Sequence, residues 1–187
     1  RLRSDNARRK VVAEGAAMFL LEPLESARQH GANCLAELLA VAMTMDADAF
    51  LEPCLTHAAI LDACRHAMDQ AGLAAPDLDL IAWAPQGNAQ DDKTLVALRS
   101  LLGSEFDRIP LVTTTFHTGY VESASILITL AATLAALHQG IGLWPQRGGL
   151  ANPAKRVPER PSRHILALGS SDVGANFAAV LRAGAPA

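Results

Sequence analysis

One stretch of the chain, residues 111–140, constrains the fold more than any other. It combines a short apolar run, a turn and a long segment with almost no charge. Residues 112–115 are rich in β-branched side chains and predict the end of a buried strand. Within residues 121–137 only Glu122 is ionised, and small or apolar side chains occur on all sides of the predicted helix. We expect such a helix to be buried all round, with packed layers above and below it.

A membrane-spanning helix is the alternative for an uncharged run of this length. Against it, Thr and Ser residues interrupt the run, and neither an aromatic belt nor a Lys/Arg bias flanks it. We therefore predict a core helix in a layered α/β protein, with no membrane contact.

The rest of the chain alternates between predicted strands and helices. Apolar runs indicate the strands, and the clearest amphipathic helix follows Thr56, an N-cap candidate, and ends before Gly72. We expect the first two strands to pair with each other and the last two to form a hairpin. This order predicts an α/β architecture with a mixed sheet and helices packed in layers. The predicted strands are residues 11–21, 34–45, 78–83, 112–115, 164–168 and 177–181, and the predicted helices are residues 24–30, 56–71, 91–102 and 121–137.

Charge and cysteine content narrow the class of protein. A net charge of −3 offers no nucleic-acid footprint. The three cysteines are odd in number and lack metal-ligand spacing, which predicts structural thiols in a reducing cytoplasm. The histidines share no ligand spacing either, so we expect neither a metal nor a cofactor. The basic start at Arg1 shows no signal peptide, and we expect this chain to be a portion of a longer polypeptide.

A series of short motifs lies in order along nearly the whole chain. Together they resemble the C-terminal half of β-ketoacyl-acyl-carrier-protein synthases. The resemblance implies a thiolase-like fold, in which residues 1–187 form the second of two similar halves. The half that carries the nucleophilic cysteine would then lie upstream. The motifs are Glu14-Gly15-Ala16-Ala17, Leu20-Leu21-Glu22-Pro23-Leu24-Glu25, Ala71-Gly72-Leu73, Asp92-Lys93, Thr118-Gly119 and Gly174-Ala175-Asn176-Phe177-Ala178.

Members of that family that catalyse condensation use two histidines and a lysine in this half. Counted back from Asp92-Lys93, the place of the first histidine is occupied by Ala84. The second histidine, after Thr-Gly, is replaced by Tyr120, and the lysine five residues before it by Thr115. The gating phenylalanine of the late glycine-rich loop is replaced at Ser170. A methyl or hydroxyl group cannot transfer a proton as an imidazole does, so the resemblance implies no catalysis at these degenerate positions.

The catalytically degenerate member of this family is the chain-length factor of type II polyketide synthases. The resemblance implies a cytoplasmic, non-catalytic subunit that pairs with a cysteine-bearing ketosynthase as a heterodimer. The pair would shape an acyl tunnel for polyketide or polyene biosynthesis and would work with an acyl carrier protein. We expect a set of basic residues to form a solvated loop; the alternative is that their charge steers association with an acidic carrier protein. They are Arg147, Lys155, Arg156, Arg160 and Arg163.

The alternative is an active acyltransferase of the same superfamily whose catalytic residues have moved. His117 and Tyr120 would act as base and proton donor, and Asp172 would orient a histidine. The upstream sequence would decide between the two hypotheses, because it would show either a cysteine in a nucleophile turn or a replacement such as glutamine. A scaffold unrelated to acyl chains is a third hypothesis.

Overall fold

Five strands of the described chain form one mixed sheet in the order β1-β5-β4-β2-β3. The computed structural model describes residues 11–46, 57–140, 163–171 and 173–184. The strands are β1 (Ala36–Met45), β2 (Leu78–Trp83), β3 (Leu111–Val112), β4 (Arg163–Ser170) and β5 (Ala175–Ala183). β5 runs antiparallel to β1 and β4, whereas β2 runs parallel to β4 and β3. The predicted C-terminal hairpin is therefore confirmed, as are the strands at residues 34–45 and 78–83.

Helices cover both faces of this sheet. The helices are α1 (Leu24–Gln29), α2 (Ala58–Ala71), α3 (Ala89–Leu102), α4 (Thr115–Thr118) and α5 (Ala124–His138), with two 3₁₀ turns at Ala75–Asp77 and Gly103–Asp107. α2 and α3 pack on one face, in an apolar cluster that includes Trp83 and Val180. α5 packs on the other face, in a cluster that includes Leu80 and Ala167. This arrangement confirms the predicted α/β class with helices in layers.

Local signals account for the helix ends. α2 ends at Gly72, whose φ of 67° is the left-handed conformation that favours glycine. α3 begins after Asn88, whose side-chain oxygen accepts a hydrogen bond from the N–H of Gln90 at 2.9 Å. The predicted cap Thr56 lies outside the described residues, and His57 immediately precedes α2.

The predicted strand at residues 11–21 is wrong, as is its pairing with β1. This segment has no regular secondary structure and joins no strand of the sheet, and β1 pairs with β5 instead. Its one bridge is between Val12 and Tyr120. Met18 is 96% exposed and Leu20 is 90% exposed. The apolar pattern is that of a buried strand, but among the described residues no strand of the sheet pairs with this segment and its outer side chains are not covered.

The region before α5 also differs from the prediction. The strand ends at Val112, because the hydroxyl of Thr113 accepts a hydrogen bond from the N–H of Thr115 at 3.1 Å and turns the chain into α4. α5 starts at Ala124 rather than at residue 121, after a turn in which Glu122 has a φ of 45°.

α5 is buried on one side only, not all round as predicted. Its buried residues are Ser125, Thr129, Leu130, Thr133 and Leu134. On its other sides Leu127 is half-buried and Ala132 is exposed. In the part of the chain that the structure describes, none of the helices has the length and apolar content to cross a membrane.

Candidate functional site

A cleft of about 190 Å³ lies where the loop after β2 meets the turn that contains α4. Residues 85–87 form one wall and residues 115–120 form the other. Val11, in the segment at residues 11–21, lies at one side of the cleft. The lining residues are Val11, Pro85, Gln86, Gly87, Thr115, Phe116, His117, Gly119 and Tyr120. Strand ends of a parallel sheet are a usual position for a binding site, so this cleft is the candidate functional site.

The α4 turn presents three of the lining side chains. The hydroxyl of Thr113 donates to that of Thr115 at 3.2 Å, which fixes the start of the turn. The N–H of His117 donates to the carbonyl of Thr114 at 2.8 Å, and His117 itself is exposed. Tyr120 is buried at the end of the turn.

The segment at residues 11–13 is held against this turn by two backbone hydrogen bonds. The N–H of Tyr120 donates to the carbonyl of Val11 at 2.7 Å, and the N–H of Ala13 donates to the carbonyl of Tyr120 at 3.0 Å. The contact is close because Gly119 has no side chain: a Cβ there would lie 2.6 Å from the Cβ of Ala13. Gly119 also has a φ of 78°, a conformation that favours glycine. Glycine therefore permits both the close contact with Ala13 and this backbone conformation.

A buried polar network holds the opposite wall. The amide Nε2 of Gln86 donates to the carbonyl of Ser170 at 2.7 Å and to its Oγ at 3.1 Å. The Oε1 of Gln86 accepts from Asn88 at 3.0 Å. The carboxylate of Asp91 accepts from the N–H groups of Gln86 and Gly87, each at 2.8 Å. Gln86 and Asp91 are both only 2% exposed, so these bonds are shielded from water.

The structure brings some of the predicted positions together and separates others. Thr115, Tyr120 and His117 line the same cleft. Ala84 is buried at the end of β2, where its N–H faces the carbonyl of Leu168 at 3.4 Å. Ser170 lies behind the wall as the partner of Gln86. Asp172, the residue of the alternative hypothesis, lies outside the described residues.

The hydrogen bonds by which Gln86 and Asp91 hold this wall were not predicted from the sequence. The sequence holds one usable signal, since Asn88 and Asp91 have the spacing of an N-cap residue and its N3 acid. A carboxylate at this position is expected to accept hydrogen bonds from backbone N–H groups that precede the helix. Asp91 of α3 does so. The bond from Gln86 to Ser170 spans 84 residues in sequence, and no local pattern indicates it.

Among the described residues, the lining of the cleft includes neither a metal-ligand cluster nor a cysteine. Across residues 11–46, 57–140, 163–171 and 173–184, no group of three His, Cys, Asp or Glu residues is placed to hold a metal ion. Cys64 is buried in the apolar cluster beneath α2, and this burial raises its pKa to about 12. It is thus a protonated structural thiol, and Cys34 is half-buried.

Comparisons with known proteins place this geometry in context. The family model described as "Beta-ketoacyl synthase, C-terminal domain" matches residues 31–146. The actinorhodin polyketide putative beta-ketoacyl synthase 1 of Streptomyces coelicolor is 31% identical over 182 residues, which cover 92% of this chain and 38% of that protein.

Two solved structures share the fold. The ishigamide ketosynthase/chain length factor has a TM-score of 0.76 at 24% identity, over 97% of this chain and 46% of that one. A chain of the complex described as "type II PKS acyl-carrier protein in complex with its ketosynthase bound to the hexaketide" has a TM-score of 0.70 at 21% identity, over 87% of this chain and 42% of that one. The fold is therefore thiolase-like, as the resemblance implied, and the chain spans about two fifths of the length of its curated relatives.

Proposed function

Because the chain belongs to the family of β-ketoacyl synthase C-terminal domains, we propose that it is the C-terminal half of a chain-length factor. This subunit would not catalyse condensation. It would pair with a cysteine-bearing ketosynthase and shape the acyl tunnel of a type II polyketide or polyene synthase.

The observation that carries the proposal is the chemistry of the replaced positions. The methyl group of Ala84 can neither donate nor accept a proton, and the hydroxyl of Thr115 cannot supply the positive charge of a lysine. A neutral phenol is a far weaker proton acceptor than an imidazole, so Tyr120 is a poor substitute for the histidine at this position. At these positions neither an imidazole nor an ammonium group is available to stabilise an enolate.

The partly exposed apolar elements support an upstream half as the first partner. In the segment at residues 11–21, Phe19 packs against the cluster under α5, whereas Met18 and Leu20 face outward. Apolar side chains on both sides of a segment are typical of one buried between two layers. Leu127 of α5, which is half-buried and lies outside the cluster between α5 and the sheet, would be covered by the same half.

Leu127→Asp in the full-length polypeptide tests this partner. Leu127 is half-buried in the described residues, and the upstream half would bury it fully. A buried aspartate has its pKa raised by about 3 units, which lowers the free energy of unfolding at pH 7 by on the order of 4 kcal/mol. Chemical denaturation measures this change. Val96→Asp is the matched control, because Val96 is 49% exposed on α3, in the other layer.

Equal, small effects of Leu127→Asp and Val96→Asp would contradict the upstream half as the cover of α5. Leu134→Asp is the positive control, because Leu134 is buried against the sheet of this chain itself. It should destabilise the protein whether or not an upstream half is present.

Activity assays test the absence of catalysis. The full-length polypeptide, the cognate ketosynthase and the two together would be incubated with a malonyl carrier-protein substrate. We expect no condensation by the polypeptide alone, product from the pair, and co-purification of the two subunits. Turnover by the polypeptide alone would contradict the proposal.

A second candidate function is relocated acyl transfer, which the position of His117 favours. His117 and Tyr120 line one cleft, as a base and a proton donor would have to. On this hypothesis His117→Gln abolishes turnover by the polypeptide alone, and Tyr120→Phe reduces it. His66→Gln, at an exposed position on α2, is the control that should leave turnover unchanged.

A further inference from the structure

The two replaced loops of the site are connected to each other. One is the loop after β2, which begins at the degenerate position Ala84, and the other is the turn between β4 and β5, which begins at Ser170. The side chain of Gln86 joins them, with both of its acceptors on Ser170. We call this set of bonds the Gln86 latch.

Each end of the latch is itself fixed. On one side, Asp91 accepts from two consecutive backbone N–H groups of the loop, and Asn88 donates to the Oε1 of Gln86. On the other side, the N–H of Ser171 donates to the carbonyl of Ala175 at 2.8 Å, and the Oγ of Ser171 accepts from the N–H of Ala175 at 3.1 Å. Both the loop and the turn are therefore anchored where the latch joins them.

The latch determines how one wall of the cleft is placed. Pro85, Gln86 and Gly87 line the cleft, whereas Ser170 and Asp91 do not. Because the amide of Gln86 is engaged at both its nitrogen and its oxygen, it is held against Ser170. Buried hydrogen bonds of this kind are costly to break without replacement partners, so the wall has one preferred position.

We propose that Gln86 is a positioning residue that fixes this wall, so that the latch, and not a mobile gate, sets the size of acyl chain that the cleft accommodates. The acyl chain as occupant rests on the proposed function above. The fixed position of the wall does not rest on the proposed function, because it is inferred from the hydrogen bonds alone.

The experiment uses the full-length polypeptide in complex with its cognate ketosynthase, in two matched pairs of variants. Gln86→Leu removes the latch and keeps the side-chain volume, and Gln70→Leu makes the same change on the exposed surface of α2. Asp91→Asn places an amide against the two N–H groups without altering the cleft lining, and Asp92→Asn makes that change at the exposed neighbouring residue.

Two quantities are measured, namely amide hydrogen exchange in residues 84–88 and 170–175 and the length distribution of the products by mass spectrometry. We expect Gln86→Leu and Asp91→Asn to speed exchange in both segments by roughly 5- to 30-fold, the effect of losing one or two hydrogen bonds. The products should shift to a broader range of lengths, and the two controls should match the wild type.

Unchanged exchange in Gln86→Leu would overturn the latch. Faster exchange with an unchanged product distribution would overturn its role in chain length. A failure of the proposed function is visible separately, in a wild-type polypeptide that binds no ketosynthase or does not affect its products. In that case the exchange rates alone decide whether the latch holds the wall.

Discussion

Replacing Gly119 with alanine should detach the N-terminal segment from the cleft. A Cβ at this position would lie 2.6 Å from the Cβ of Ala13 and 3.1 Å from the carbonyl oxygen of Val11. Both atoms belong to the segment that closes one side of the cleft, so the segment has to move away. Its movement breaks the two backbone hydrogen bonds between Tyr120 and residues 11 and 13.

The expected magnitude has two parts. At Gly119 φ is 78° and ψ is 172°, a backbone region essentially restricted to glycine, so a residue with a Cβ there costs about 1 to 3 kcal/mol. Loss of two hydrogen bonds adds about 1 kcal/mol for each. The free energy of unfolding should therefore fall by about 3 to 5 kcal/mol, unless the segment detaches locally and leaves the rest folded.

Gly72→Ala is the control that separates the two parts. Gly72 has a φ of 67° and a ψ of 29°, the left-handed helical region, and a Cβ there meets no atom within 4 Å, so this variant has only a backbone cost, of about 1 kcal/mol. Urea denaturation of the full-length polypeptide gives the stability of each variant, and limited proteolysis at residues 11–21 reports local detachment. If Gly119→Ala resembles Gly72→Ala in both assays, the contact with the segment does not stabilise the protein and the reasoning fails.

Three further predictions follow from other residues. Thr129→Val should lower the stability by about 1 to 2 kcal/mol in urea denaturation, because the hydroxyl of the buried Thr129 is bonded to that of Thr114 at 2.9 Å. Thr133→Val should cost less, since its hydroxyl bonds only to a carbonyl of its own helix. Burial raises the pKa of Cys64 from the ordinary 9.0 to about 12, so the folded state keeps its proton after the unfolded state has lost it. The contribution of Cys64 to the free energy of unfolding should then be constant below about pH 9 and fall by up to about 1.4 kcal/mol per pH unit above it. Cys64→Ala should remove this part of the pH dependence. Charge reversal at Arg156 and Arg160, which lie outside the described residues, should slow association with an acidic carrier protein at low salt in stopped-flow measurements, with little effect at high salt.

Local patterns predicted those elements whose neighbours lie within this chain. The strand at residues 78–83 and the helix that ends at Gly72 follow from apolar runs and a left-handed cap, and both occur where predicted. The strand at residues 112–115 was shortened because a threonine hydroxyl competes with the sheet for the backbone N–H of Thr115. The bond between Gln86 and Ser170 depends on the tertiary fold, which brings the end of β2 beside the end of β4, and single-sequence patterns carry no information about it.

The wrong prediction for residues 11–21 has the same cause as the unexpected exposure of α5. Apolar side chains on two sides predict burial between two layers, and the pattern carries no information about which chain segment supplies the second layer. Within the described residues the sheet supplies one layer, and Met18, Leu20 and one side of α5 remain uncovered. Exposing one leucine-sized side chain costs about 1.5 to 3 kcal/mol relative to burying it, so several such side chains account for much of the stability of an ordinary domain. On the proposed function, the same side chains that made the burial prediction fail within the described residues are the ones that we expect to bind an upstream half.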